Sequence, residues 1–310
     1  MKNLKPKFWE KKNSLISLLL LPISIFLQLL IIIKKKLTHE NSFKIPVICV
    51  GNIYLGGTGK TPLSILIAKE LRKHNKKPAI IKKYYPEHID EHNLINNSLD
   101  CLILDKKRSR AINLAEKKQY DVAILDDGFQ DYSIKKNLNI LCFNSDQLIG
   151  NGMTLPSGPL RENINAIKKA QIVLINGNKD KLFEEKILNV SNRVKIFYSK
   201  YLPENIAEFK NKNLFAFAGI GNPSNFFKLL SDNNLNINTK LAFPDHYKFS
   251  KSEIQKMIDE SFKNNLELVT TEKDYFRIKH YGFKHVKFLK IKLEILEKDK
   301  LINQILDYLW

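Results

Sequence analysis

One pattern recurs along this chain. A short run of wholly apolar residues is closed by a glycine, asparagine or acidic break, and a stretch with apolar residues at helical spacing follows. The runs predict strands at Val47–Val50, Ala79–Ile81, Leu99–Leu104, Val122–Leu125, Leu138–Phe143, Ile172–Ile175, Val194–Tyr198, Leu214–Ala218, Leu266–Val269 and Val286–Leu293. Helical spacing predicts helices at Ser109–Lys118, Pro223–Leu230, Lys251–Phe262 and in the tail from Lys298, where Leu301, Ile302, Ile305, Leu306 and Leu309 share a face. Continuous rather than alternating apolar strands, separated by helices, imply an α/β fold with a parallel sheet covered on both faces. Ligands of such sheets gather at the carboxyl ends of the strands.

The first apolar stretch is different. Asn13–Ile33 holds no charge, is rich in Leu and Ile, and is flanked by Lys11 and Lys12 on one side and Lys34, Lys35 and Lys36 on the other. A helix of about twenty residues reaches about 30 Å, the thickness of a hydrocarbon core. Ser14, Ser17, Pro22, Ser24 and Gln28 interrupt it, and no small-residue cleavage site follows. Three readings stand: an interfacial anchor, a true span, and a buried core helix. The favoured one is a membrane-associated helix whose lysine-rich end faces the cytoplasm.

The densest chemistry lies in VICVGNIYLGGTGKTPLSIL, Val47–Leu66. A buried strand runs into a glycine-rich turn and then into a helix. Gly56, Gly57 and Gly59 let backbone N–H groups turn toward an anion, and the helix N-terminus faces the same way. With Thr58 between them, these residues form a phosphate cradle. Lys60 is placed against the β- and γ-phosphates and Thr61 supplies a hydroxyl to Mg²⁺. Tyr54 stands where the general P-loop pattern has glycine. A second signal is VAILDDGFQ, a strand ending in Asp126 and Asp127, where P-loop proteins hold their metal.

Weaker candidates follow. Asp90 and Glu91, in HIDEHNLI, read as a polar loop that is either solvated surface or the source of a general base. His88 and His92 beside them make a poor metal site. His246, in FPDHYKF, is structural or catalytic on its own evidence. NGMTLPSGPLR, residues 151–161, reads as a crossover loop and domain boundary. The expected organisation is a membrane-associated helix over 1–36, a nucleotide-binding core over 37–150, a smaller C-terminal α/β lobe over 151–295, and a C-terminal helix over 296–310.

Composition alters this picture little. Fifty-one basic residues against 32 acidic ones give a formal charge of +19. The lysines are scattered among many Asn and Ile, so the charge points to an anionic membrane surface or a phosphorylated substrate rather than nucleic acid. No zinc-binding spacing and no aromatic-basic module is present. Cys49, Cys101 and Cys142 each sit in an apolar run and read as buried thiols of a reducing compartment.

Taken in order, the apolar N-terminal helix, VGNIYLGGTGKTP, the DE pair, ILDDGFQ, GNGMTLPSGPLRE, AFAGIGNPSNFF, FPDHYKF and TTEKD resemble the tetraacyldisaccharide 4'-kinase family over nearly the whole chain. The family's cradle is similar, so Tyr54 is no departure within it. The resemblance implies a P-loop NTPase-type doubly wound fold with two lobes that close over ATP. It also implies transfer of the γ-phosphate to the 4'-hydroxyl of a lipid A precursor, tetraacyldisaccharide 1-phosphate. The setting would be the cytoplasmic face of the bacterial inner membrane, and the enzyme a monomer. By motif match, Asp90 and His246 activate the hydroxyl, Lys60 and Arg161 stabilise the transferring phosphoryl group, and Thr61, Asp126, Asp127, Gln130 and Glu162 surround Mg²⁺. The chain departs from the family at Lys82–Pro86, where Ser-Arg-Gly-Tyr-Gly-Arg is usual, at His92 and at Asp131. The rival is a membrane-associated ATPase switch of the partition type; its signature lysine position holds Leu55. A GTPase reading fails on spacing, because Asn178, Lys179 and Asp180 are one residue short of the guanine motif.

Overall fold

The computed structural model of the protein describes residues 6–85, 89–245 and 247–309, without the side chains of residues 89–91. In chain order the first elements are α1 (Leu15–Leu37), β1 (Val47–Gly51), α2 (Lys60–Lys73), β2 (Pro78–Lys83), α3 (Ile89–Ser98), β3 (Leu102–Asp105), α4 (Arg108–Lys117), β4 (Val122–Asp126) and β5 (Leu138–Asn144). There follow β6 (Ile172–Asn176), α5 (Lys181–Val190), β7 (Lys195–Pro203), β8 (Asn213–Ala218), α6 (Pro223–Asp232) and β9 (Asn236–Ala242). The chain ends with α7 (Lys251–Lys263), β10 (Glu267–Thr271), α8 (Glu272–Ile278), β11 (Val286–Leu289), β12 (Ile291–Ile295) and α9 (Lys298–Leu309).

Contacts divide these elements into two compact units. The larger holds residues 6–84, Leu99–Lys200 and residues 293–309. Its sheet has the order β12-β7-β6-β5-β1-β4-β2-β3, and the pairings from β7 across to β3 are parallel. All five residues of β1, β4 and β6 are buried, as their unbroken apolar runs require. The central strand β1 lies between β4 and β5, so the chain order reverses beside it. This is the doubly wound arrangement that leaves a crevice at the carboxyl ends. The smaller unit gathers Tyr85–Ser98 and Tyr201–Lys292 around a second parallel sheet, β11-β10-β8-β9.

The boundary expected at residue 150 falls elsewhere. β6 pairs in register with β5 from Ile140↔Ile172 to Asn144↔Asn176, and β7 continues the sheet, so 151–200 belongs with the cradle. The predicted strand Val286–Leu293 is two strands in two sheets, β11 beside β10 and β12 beside β7. The Asp90 segment is helical rather than a loop: α3 buries Ile95 and packs on α8. The three cysteines are buried and free, as expected.

Helix α1 reverses the ordinary amphipathic arrangement. Ser17 and Ser24 are its buried residues, whereas Leu19 is 79% exposed and Phe26 60%. The polar residues that interrupt the apolar stretch form a stripe docked on 151–161. Asn151 donates to Ser17 Oγ (3.1 Å), the Ser157 amide donates to Ser24 Oγ (3.0 Å), and Gln28 donates to the Arg161 carbonyl (3.3 Å). That loop is packed tightly enough to need a glycine, since a Cβ on Gly158 would lie 2.1 Å from Asn151 Oδ1. The segment read as a linker is therefore a docking surface.

Candidate active site

β1 delivers the chain into the turn at Asn52, and α2 begins at Lys60 after Gly59, whose φ of 90° belongs to the left-handed region. Gly56, at φ 140°, is also in a conformation that side chains rarely adopt. Asn52 is buried and braces the turn from inside, its Nδ2 donating to the Gly56 carbonyl and to Thr58 Oγ1, both at 3.1 Å. Sequence reasoning quoted Asn52 only as part of a motif. Its signal was a buried-strand asparagine directly ahead of a glycine turn.

Parallel register brings the next groups together. Val50 pairs with Asp126, which places the end of β4 beside the cradle. Thr61 Oγ1 donates to Asp126 Oδ2 at 2.8 Å, and Asp126 is fully buried. Asp126 Oδ1 is buried with no hydrogen-bond partner among the described residues. A buried carboxylate with one open oxygen beside a threonine hydroxyl fits a hard divalent ion. One carboxylate and one hydroxyl suit Mg²⁺ that keeps waters and shares substrate phosphates, rather than an all-protein cage. Consistently, no group of three or more His, Cys, Asp or Glu side chains forms a metal cluster among the described residues.

Asp127 turns the other way. Its φ of 61° reverses the chain after β4 and directs its carboxylate to Arg161 Nη1 at 3.1 Å and Lys60 Nζ at 3.7 Å. Burial pushes its pKa up, but Lys60, Arg161 and Lys82 together outweigh that and hold it at about 2. Arg108, at the start of α4, donates to the Asp127 carbonyl at 2.6 Å and pairs with Asp131 at 3.3 Å. Gln130 accepts from Arg161 (3.3 Å) and donates to the Asn52 carbonyl (3.0 Å) and to Glu162 (3.2 Å), while Glu162 pairs with Lys169 at 2.9 Å. So Thr61 joins Asp126, Lys60 and Arg161 join Asp127, and Glu162 attaches through Gln130 and Lys169. Arg108 and Lys82 were not anticipated. Lys82 Nζ lies 2.5 Å from Asp126 Oδ2.

Asp90 and His246 belong to segments of the smaller unit. The side chain of Asp90 and the whole of His246 lie outside the described residues. Beside His246, Asp245 pairs with Lys273 (3.7 Å) and approaches Arg277 (4.0 Å). The TTEKD stretch opens α8 through Thr271, whose Oγ1 accepts the Asp274 amide at 3.1 Å. Asp274 is buried, which raises its pKa. It accepts from the Gly219 amide (2.9 Å) and from Arg277 (2.6 Å), tying the β8–α6 turn to α8. A capping pattern, Thr followed three residues later by Asp, was the available signal.

A doubly wound parallel sheet with a glycine-rich strand-to-helix turn, a lysine and a threonine at the helix start and an aspartate at the neighbouring strand end defines a P-loop nucleotide-binding protein. The family model described as tetraacyldisaccharide-1-P 4'-kinase (LpxK) matches residues 16–98 and 87–309. A tetraacyldisaccharide 4'-kinase of Pelagibacter ubique is 45% identical over 99% of this chain and 98% of its own length. One from Rickettsia typhi is 33% identical, with 98% of each chain covered. The crystal structure of an Aquifex aeolicus LpxK in complex with ATP shares the fold, with a TM-score of 0.70 at 24% identity, over 96% of this chain and 100% of that one. The chain belongs to the tetraacyldisaccharide-1-P 4'-kinase family. That membership sets the partition-type switch aside.

Proposed function

We propose that this protein transfers the γ-phosphate of ATP to the 4'-hydroxyl of tetraacyldisaccharide 1-phosphate, producing the 1,4'-bisphosphorylated precursor of lipid A. The observation that carries the reading is family membership across nearly the whole chain together with an intact cradle in which Thr61 and Asp126 meet. Gly56, Gly57, Thr58, Gly59, Lys60 and Thr61 hold the polyphosphate through backbone N–H groups and the lysine. Lys60 and Arg161, now sharing Asp127, neutralise charge on the transferring group. Thr61 and Asp126 would hold Mg²⁺, with Asp127, Gln130 and Glu162 around them, and the ion would supply neutralisation of the phosphate charge. Asp90 and His246 take the proton of the attacking hydroxyl, the carboxylate orienting the imidazole and stabilising its charged form.

The acceptor is a lipid, and α1 is suited to reach it. It is the one described helix long and apolar enough to cross a membrane, its outer face is bare, and Lys34, Lys35 and Lys36 close it. A monomer at the cytoplasmic face of the inner membrane follows from this reading. The test is transfer from γ-labelled ATP to purified tetraacyldisaccharide 1-phosphate in detergent micelles. Labelled lipid with the wild type and none with Lys60→Ala is expected. ATP hydrolysis without labelled lipid would overturn the acceptor assignment.

A further inference from the structure

Strand β1 ends at Gly51, and residues 52–55, which carry the chain to the first cradle glycine, have left the sheet. Buried backbone that leaves a sheet must find new hydrogen-bond partners. A second segment supplies them. The Arg161 amide donates to the Ile53 carbonyl at 2.7 Å, the Leu55 amide donates to the Pro159 carbonyl at 2.9 Å, and Tyr54 and Leu160 form an antiparallel bridge between these bonds. Tyr54 and Leu160 are buried in one core cluster. Tyr54 has a negative φ, so this position does not need the glycine of the general P-loop pattern, and a buried side chain ties the approach to the cradle down. The same segment, 159–161, is the end of the loop on which α1 lies. Gln28 donates to the Arg161 carbonyl at 3.3 Å, and Ser24 Oγ accepts the Ser157 amide at 3.0 Å. Arg161 therefore has its carbonyl on α1, its amide on the approach to the cradle and its guanidinium on Asp127 at 3.1 Å. One layer of hydrogen-bonded backbone separates the helix from the cradle.

We infer that α1 is a working part of the nucleotide seat: Ser24 and Gln28 are positioning residues that, through the 151–161 loop and its ladder with 53–55, set the approach to the cradle and the aim of Arg161, so that docking of the helix and binding of nucleotide are linked. The inference rests on residues 56–61 being the nucleotide seat, and it depends neither on the acceptor nor on a membrane. A helix that served only as an anchor could be attached to any stable surface of the domain. This one is attached to the segment that braces the cradle from outside. With α1 docked, the Ser157 amide and the Arg161 carbonyl are both held. With α1 lifted they are released, and the ladder that fixes 53–55 and Arg161 can shift with the loop. Nucleotide then binds the docked form more tightly. By linkage, bound nucleotide holds the helix down by the same factor.

The test is amide hydrogen exchange on the full chain in detergent micelles, with and without saturating β,γ-imido-ATP, whose binding is measured in the same samples. In wild type the analogue should slow the Ser157 amide, which is bonded to Ser24, by roughly tenfold, within the usual range of coupling between sites. The amides of α9 should slow less, because they report global opening rather than helix docking. Ser24→Leu places bulk where a buried serine sits and should undock the helix, seen as fast exchange at Ser157. Its affinity for the analogue should fall by the same roughly tenfold factor, while Leu19→Ala, on the exposed face, keeps wild-type affinity. An unchanged Ser157 amide in wild type that binds the analogue overturns the inference, and so does slowing of equal size in α9; this arm needs no variant to fold. Ser24→Leu that is undocked yet binds the analogue as wild type does overturns it as well. Wild type that fails to bind the analogue removes the nucleotide seat, and with it both the inference and the kinase reading.

Discussion

Replacing Ser24 by alanine deletes a single oxygen from a helix that is otherwise almost wholly apolar, yet it should loosen the protein measurably. Ser24 is 1% exposed and Ser157 is fully buried. Ser24 Oγ accepts the Ser157 amide at 3.0 Å and gives its one proton to the Thr154 carbonyl (3.0 Å) or to Ser157 Oγ (2.8 Å). Alanine leaves the amide buried without an acceptor, a penalty of about 1–3 kcal/mol, and removes a second bond worth about 1 kcal/mol. Together these amount to about 2–4 kcal/mol against docking of α1 on the loop. At about 1.4 kcal/mol per factor of ten, the opened population rises by roughly thirtyfold to several hundredfold. Amide hydrogen exchange reads this directly. The Gly158 and Leu160 amides bond to the Thr154 and Met153 carbonyls and should exchange faster by that factor. Leu19→Ala, which removes three carbons from a residue 79% exposed, should leave the same amides unchanged. Acceleration below threefold in Ser24→Ala, or equal acceleration in Leu19→Ala, would refute the claim that the polar stripe holds the helix.

Asp90→Ala should lower kcat by two orders of magnitude or more while ATP affinity changes less than threefold; a wild-type rate would exclude it as the base. Arg161→Lys keeps the charge but loses the planar guanidinium whose Nη1 reaches both Asp127 and Gln130, so kcat/KM should fall about tenfold, and an unchanged value would show that charge alone suffices. Asp127 has a folded pKa of about 2 against 3.8 unperturbed, so its stabilising contribution is complete above about pH 4 and is lost as pH falls toward 2. The stability gap between wild type and Asp127→Asn should therefore narrow from pH 5 to pH 2 in denaturant titrations, and a constant gap would disprove the pairing. Deleting Met1–Lys36 should move the protein from anionic vesicles to the supernatant on sedimentation; unchanged partitioning would contradict the anchor.

Strands and cradle were legible because a parallel sheet buries both faces, and nothing but an unbroken apolar run can satisfy that. β1, β4, β5 and β6 fell where the runs lay. Features that depend on partners distant in sequence were not legible. Gly and Pro in 151–161 signal irregular backbone, but not that the irregular backbone is clamped under α1. The strand pattern runs through Lys290 without a break, so no local mark shows that β11 and β12 part company there. β9 reads NINTKLA, an alternation too poor in large apolar residues to announce a strand. In the site, motif residues were found by type and spacing, whereas Lys82 and Arg108 were missed. A lysine at a strand end and an arginine at a helix start read as surface until register supplies their partners.

The reversed stripe of α1 also changes what kind of substitution this helix should tolerate as a lineage drifts. On its outward face any aliphatic residue of similar bulk serves, so Leu and Ile there are interchangeable and free to follow the base composition of the genome. Ser17, Ser24 and Gln28 are held by particular acceptors and donors on 151–161. Replacing them with leucine would make the segment look like a better membrane helix by every measure of hydropathy. It would also detach that helix from the loop whose last residue, Arg161, faces the phosphate cradle.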